Sequence, residues 1–162
     1  MTTQPADHRA AETLAQRIGR TALGVVMIFA GIGHLTFARR EFQAQVPAWL
    51  PVPADLVVLA SGAVEIALGV AMIVLTGKRA VVGLLLAALF VVIFPGNIAQ
   101  WLHHRDAFGL NSDRARFLRL FFQPVLIAWA LWSTGAWRAV RARTDPPPGQ
   151  ARPARRPWRP SR

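Results

Sequence analysis

Four apolar blocks of about 20 residues divide this 162-residue chain, and they constrain its fold more than any other feature. They run over about 18–37, 56–76, 80–102 and 117–137. A helix of ~20 residues crosses a hydrocarbon layer of ~30 Å. Inside lipid a helix also satisfies its own backbone polar groups, which an open strand cannot do. The blocks therefore predict an all-α fold, an integral membrane four-helix bundle. Residues 1–17 read as a flexible N-terminal arm, 18–137 as the four-transmembrane-helix domain, and 138–162 as a disordered Arg/Pro-rich cytoplasmic tail. A signal peptide fits the first block less well, because no small-residue cleavage site follows it.

Charge sets an orientation. The formal net charge is +11, and the stretch from Arg138 to Arg162 carries eight Arg and one Asp. The arm together with Arg20 just beyond it, the turn Gly77–Arg79 and the tail hold thirteen cations, against five on the connections at the other end. Lys and Arg mark the cytoplasmic side, so both termini are expected there. A basic tail beside an apolar body implies contact with anionic lipid. No nucleic-acid-binding pattern accompanies it, and nucleic acid is not expected as a partner. The chain has no cysteine, which excludes disulfides, thiolate metal sites and thiol redox chemistry.

Among the connections, "ARREFQAQVPAWLPVPAD" (38–55) reads as an ordered re-entrant or interfacial loop, with Phe42, Trp49 and Leu50 at the headgroups. The segment "NSDR" (111–114) reads as the cap of the fourth helix.

Six polar side chains interrupt the blocks: His34, Glu65, Asn97, Gln100, Arg119 and Gln123. An ionisable group near the centre of a membrane helix costs at least ~2.5 kcal/mol, so such groups normally face the bundle and find partners. Glu65 lies near the middle of its block; the other five fall in the outer half of the membrane, from three different blocks. Their common depth predicts a polar ligand-binding pocket in the outer half, floored by Glu65. Helical spacing agrees: Arg116, Arg119 and Gln123 share one face, as do Asn97, Gln100 and His104. Gly24 and Gly31 on the first block, and Ser61, Gly62 and Gly69 on the second, form small-residue stripes that admit close helix approach. Pro95 frees a backbone carbonyl near Asn97 and Gln100, either of which could serve it. A structural alternative pairs Glu65 with Arg119, bridged by His34, to hold two helices together. The adjacent His103 and His104 point to different faces, and no metal is expected. No catalytic motif or electron carrier is evident.

Several stretches together resemble the DoxX family of small four-helix bacterial membrane proteins. They are "GIGHL", "PAWLPVPADLVVLASGAVEIALGVAMIV", "FPGNIAQWL" and "RFLRLFFQPVLIAWALW", within about 22–132. The matching family positions are His34, Glu65, Pro95, Asn97, Arg119 and Gln123. The resemblance implies a multi-pass protein of the bacterial inner (plasma) membrane. It further implies an accessory or anchoring subunit of a quinone-linked redox system, with quinone as ligand and a membrane oxidoreductase as partner. Where relatives carry Pro after "LRL", this chain has Phe121, which implies a straighter fourth helix. The residues themselves leave open a non-catalytic scaffold, or a protein that binds lipid or a small solute. Transport of a solute would require a homo-oligomer.

Overall fold

A computed structural model describes residues 12–144. The helices are α1 (Leu14–Leu35), α2 (Arg39–Gln43), α3 (Ala54–Val74), α4 (Arg79–Leu102), α5 (Asp113–Leu120), α6 (Phe122–Thr134) and α7 (Ala136–Thr144). A 3-10 turn, Thr76–Lys78, leads from α3 into α4. There is no strand among the described residues. Four spans are long and apolar enough to cross a membrane: α1, α3, α4 with its leading turn, and α5 with α6. The fold is an all-α four-helix bundle of a multi-pass membrane protein. Its outside is apolar, with Val25, Phe29, Val64, Val92 and Val125 exposed, as contact with lipid requires.

The first helix begins at Leu14, earlier than hydropathy alone implies, so residues 14–17 belong to the bundle and not to an arm. The cause is a capping box: Gln16 N donates to Thr13 Oγ1 at 3.2 Å, and Thr13 N donates to Gln16 Oε1 at 3.2 Å. The expected arm over 1–11 lies outside the described residues.

Glycines set how closely α1 and α3 approach. A Cβ at Gly24 would stand 2.8 Å from Gly69 O, and one at Gly31 would stand 2.6 Å from Gly62 O. Both stripes seen in the sequence thus face each other. The helices α4 and α6 form a second pair, α1 also packs on α6, and α3 and α4 meet sparsely. The apolar core (Leu23, Met27, Met72, Leu86, Phe90, Ala130) fills the half of the bundle nearer the termini.

That end is closed by Arg20, which is 2% exposed. Its Nη1 donates to Met72 O and, at 3.3 Å, to Ile73 O, both in the last turn of α3; its Nε donates to Glu12 Oε1 at 2.8 Å. It satisfies carbonyls that have no partner within the helix. Gln16 Nε2 and Trp129 Nε1 donate to Trp132 O (2.9 Å) and Gly19 O (3.0 Å), tying α1 to α6.

The fourth span is divided at Phe121, which itself keeps helical φ and ψ of −72° and −17°. Pro124 lacks the amide that Leu120 O would accept, so the helical ladder is interrupted one turn before the ring. Gly135, left-handed at φ 69°, ends α6. Residues 136–144 then form α7, so the beginning of the tail is helical and not disordered; its Ala and Arg favour helix, and the prolines come only at 146–148. The tail over 145–162 lies outside the described residues.

Candidate functional site

The half of the bundle away from the termini encloses a cavity of about 1040 Å³. His34 (α1), Glu65 (α3), Asn97 (α4), Arg119 (α5) and Gln123 (α6) all line it. Side chains from four spans therefore converge, as their common depth implied. Gln100 does not line it. At 1% exposure its Nε2 donates to Arg105 O at 3.3 Å, so its amide holds the loop after α4 rather than the site.

Glu65 is 3% exposed. Ser61 Oγ donates to its Oε1 at 3.4 Å. His34 Nδ1 lies 3.1 Å from Oε2 and 2.9 Å from Ala30 O. Both neighbours are acceptors, so Nδ1 carries the proton. Its hydrogen-bond geometry favours Ala30 O, and Oε2 is left without a donor. A buried carboxylate oxygen in that state is costly. The approach of His34 to Glu65 depends on Gly62, where a Cβ would stand 2.7 Å from His34 Cβ.

Glu65 and Arg119 do not pair. Between them stands a ladder of rings: His34 stacks on Phe42 (centroids 3.4 Å apart), Phe42 meets Phe108 edge-on at 4.7 Å, and the Arg119 guanidinium lies over Phe108 at 4.7 Å. Arg119 Nη1 and Nη2 also donate to the Gln45 amide oxygen at 2.9 and 2.5 Å. These two charge-assisted bonds outweigh the neutral 3.3 Å contact to Gln100 that the opposite amide orientation would make. Arg119 has no acidic partner among the described residues, so its charge is answered only by an amide and a ring face.

A side chain from another helix bonds the carbonyl next to the one that Pro95 frees. Gln123 Nε2 donates to Phe90 O at 2.7 Å, one residue before the carbonyl that Pro95 deprives, and Asn97 Nδ2 donates to Gln123 Oε1 at 3.0 Å. Asn97 and Gln100 donate elsewhere, to Gln123 Oε1 and Arg105 O, and not to the freed carbonyl. Gln123→Leu is expected to cost about 1–3 kcal/mol by orphaning both partners. Adding Asn97→Leu should then cost little more, because the two share one network. Thermal unfolding of the detergent-solubilised variants checks both statements.

Two loops roof the cavity. Arg39 grips both carboxylate oxygens of Asp55, and Gln43 Nε2 donates to Asp55 Oδ1 at 2.7 Å, which pins α2 to the start of α3. The same bonds hold the Arg39 pKa above its ordinary value, the hydrogen bond to Asp55 first and its charge after. Arg105 Nη1 donates to Val46 O at 2.9 Å, joining the two loops. Phe108 takes a left-handed φ of 56°, and its N–H donates to Glu41 Oε2 at 2.5 Å. That bond holds the strained position that places its ring beneath Arg119.

Phe42 is thus a wall of the cavity and not a headgroup anchor. Phe42, Gln45 and Phe108 were not among the expected site residues; loop positions have no period that reveals where a side chain points. Two expected neighbours leave the site. Arg116 is clamped by Asp106 (2.5 Å), Asp113 (2.7 Å) and Leu110 O (2.9 Å). His104 lies beyond the end of α4 and pairs with Asp113 at 2.6 Å. Ser112 does cap α5, accepting from Ala115 N at 3.3 Å.

The family model described as Domain of unknown function (DUF8561) matches residues 23–134, and that stretch contains every residue that lines the cavity. No curated protein and no solved structure matches the chain.

Proposed function

The chain belongs to the DUF8561 family, and we propose that it is a membrane binding protein for a lipophilic ligand with a polar head. In this reading it is an accessory or anchoring subunit of a quinone-linked redox system in a bacterial inner membrane, with both termini in the cytoplasm. One observation carries the binding function: polar groups from four spans meet in one large, otherwise apolar cavity. Cavities of several hundred Å³ with a few convergent polar groups are the usual form of small-molecule sites. The DoxX-like motifs support the redox assignment, and the excess of Lys and Arg at the termini's end supports the orientation.

The residues fit a quinone head. A bound quinone would bring two-electron, two-proton chemistry; the chain itself holds and orients the head. Arg119 is placed to donate to a carbonyl or anionic oxygen, Glu65 to accept or supply a proton, and His34, whose Nδ1 proton goes to Ala30 O, to hydrogen-bond the head as an acceptor. The electron-transfer partner is then a membrane oxidoreductase. The same geometry serves a second reading, a non-catalytic scaffold or carrier of lipid, favoured by the number of apolar side chains around the cavity.

The test is the quinone extracted per chain from protein purified in mild detergent, beside Glu65→Gln of confirmed fold. Near-stoichiometric quinone in the parent, falling about tenfold in the variant for a loss near 1.4 kcal/mol, is the expected result. No quinone in either would remove the quinone assignment and favour the lipid-binding reading.

A further inference from the structure

We propose that the cavity is filled sideways from the bilayer, and that its occupant is a chain-bearing lipid with a hydroxyl head. It would pass between α3 and α4, head first. The inference rests on the binding function above and adds the route and the chemical class.

The route is written in the packing. The helices α3 and α4 follow each other through a tight turn, yet they touch little, while α1–α3 and α4–α6 are closely paired. The space left between α3 and α4 opens into the cavity. Its edges are Leu56, Ala60 and Val64 on α3, each four residues from the next, and Leu89, Val92 and Ile93 on α4. Spacings of four on α3, and of three and four from Leu89 on α4, keep each set on one helix face. These side chains line the cavity and are also open to the outside: Val92 is 73% exposed, Leu56 56% and Val64 44%. From Leu56 to Val64 the slot runs about 12 Å along the helix axis, from the roof towards the middle of the span.

None of the six edge residues is polar. Within a membrane such a slot is wetted by acyl chains and not by water, so it admits what is dissolved in lipid. At its inner end the slot reaches Glu65, the one carboxylate among the described residues that line the cavity. A hydroxyl can donate to a carboxylate without adding charge. A second anion there would meet the Glu65 carboxylate in a poorly screened site. A hydroxyl head with its chain left in the slot satisfies both ends of the cavity.

The test uses the full chain in phosphatidylcholine vesicles and a long-chain alcohol carrying a photoreactive diazirine on its chain. Labelled residues are read by peptide mass spectrometry. Label is expected on the slot residues and on the cavity wall, and is expected to fall about tenfold in Val64→Trp and in Val92→Trp. Both substitutions put the new ring on a lipid-exposed position, so the fold should survive; either one serves if the other fails to express. Val125→Trp, on an exposed face of α6 away from the cavity, should leave labelling unchanged. Cavity labelling that survives both slot variants would overturn the lateral route while leaving the binding function intact. Equal labelling by a short, water-soluble alcohol with the same group would overturn the requirement for a chain. Label confined to the exposed face of α6 would overturn the route and the binding function together.

Discussion

Arg20→Ala is expected to destabilise the bundle by about 3–5 kcal/mol, the usual loss when one member of a buried charged network is removed. The side chain is almost completely enclosed and serves three acceptors: Glu12 Oε1, Met72 O and Ile73 O. Alanine leaves two helix-terminal carbonyls and a carboxylate without that donor. It also removes a cation from the C-terminal end of α3, where the helix dipole favours one. Arg20→Lys should recover only part of the loss, because an ammonium cannot reproduce the planar fork that reaches carbonyls and carboxylate at once. Thermal unfolding in mild detergent, followed by tryptophan fluorescence, reads the effect. An alanine variant with the parent's midpoint would show that the termini's end is held by Gln16, Trp129 and the apolar core without it.

Gly62→Val should have the next largest effect, and it should be felt at both the fold and the site. A Cβ at Gly62 would stand 2.7 Å from His34 Cβ and 2.9 Å from Gly31 O. The second of these is backbone, which cannot turn aside, so α1 and α3 must move apart. Overpacking of this kind costs about 1–3 kcal/mol, and a branched side chain falls at the upper end. Separation also moves His34 away from Glu65, so ligand retention should fall even where the protein remains folded. Gly77→Ala is the control: its Cβ would meet nothing within 4 Å, and a change within about 0.5 kcal/mol is expected. Retention of ligand by Gly62→Val at the parent's level would show that the His34–Glu65 contact is dispensable for binding.

The sequence alone determined the number of spans, their lengths within a few residues, and the depth at which polar groups gather. These follow from local constraints. Bilayer thickness sets helix length, lipid demands self-satisfied backbone, and an ionisable group in an apolar run must turn inward. The glycine stripes were legible for the same reason, since helical period alone puts Gly24 and Gly31 on one face and Gly62 and Gly69 on another. Gly135 and Thr13, which bound α6 and α1, act through neighbours in the chain and need no fold to be understood.

Tertiary structure decided which polar groups meet. Period places Glu65, Arg119 and Gln100 on faces, but a face can turn to either of two neighbours. In the bundle, close packing of α1 on α3 gives Glu65 to His34. The roof loops send Phe42, Gln45 and Phe108 inward, which shields Arg119 from Glu65 and leaves its charge to a ring and an amide. Gln100 is claimed by Arg105 O, and Gln123 reaches from α6 to Phe90 O, beside the carbonyl that Pro95 frees. The gap between α3 and α4 is likewise a property of the assembly. Two helices joined by a short turn would be expected to pack together, but the glycine-lined contact with α1 holds α3 more closely, and the space left between α3 and α4 opens into the cavity.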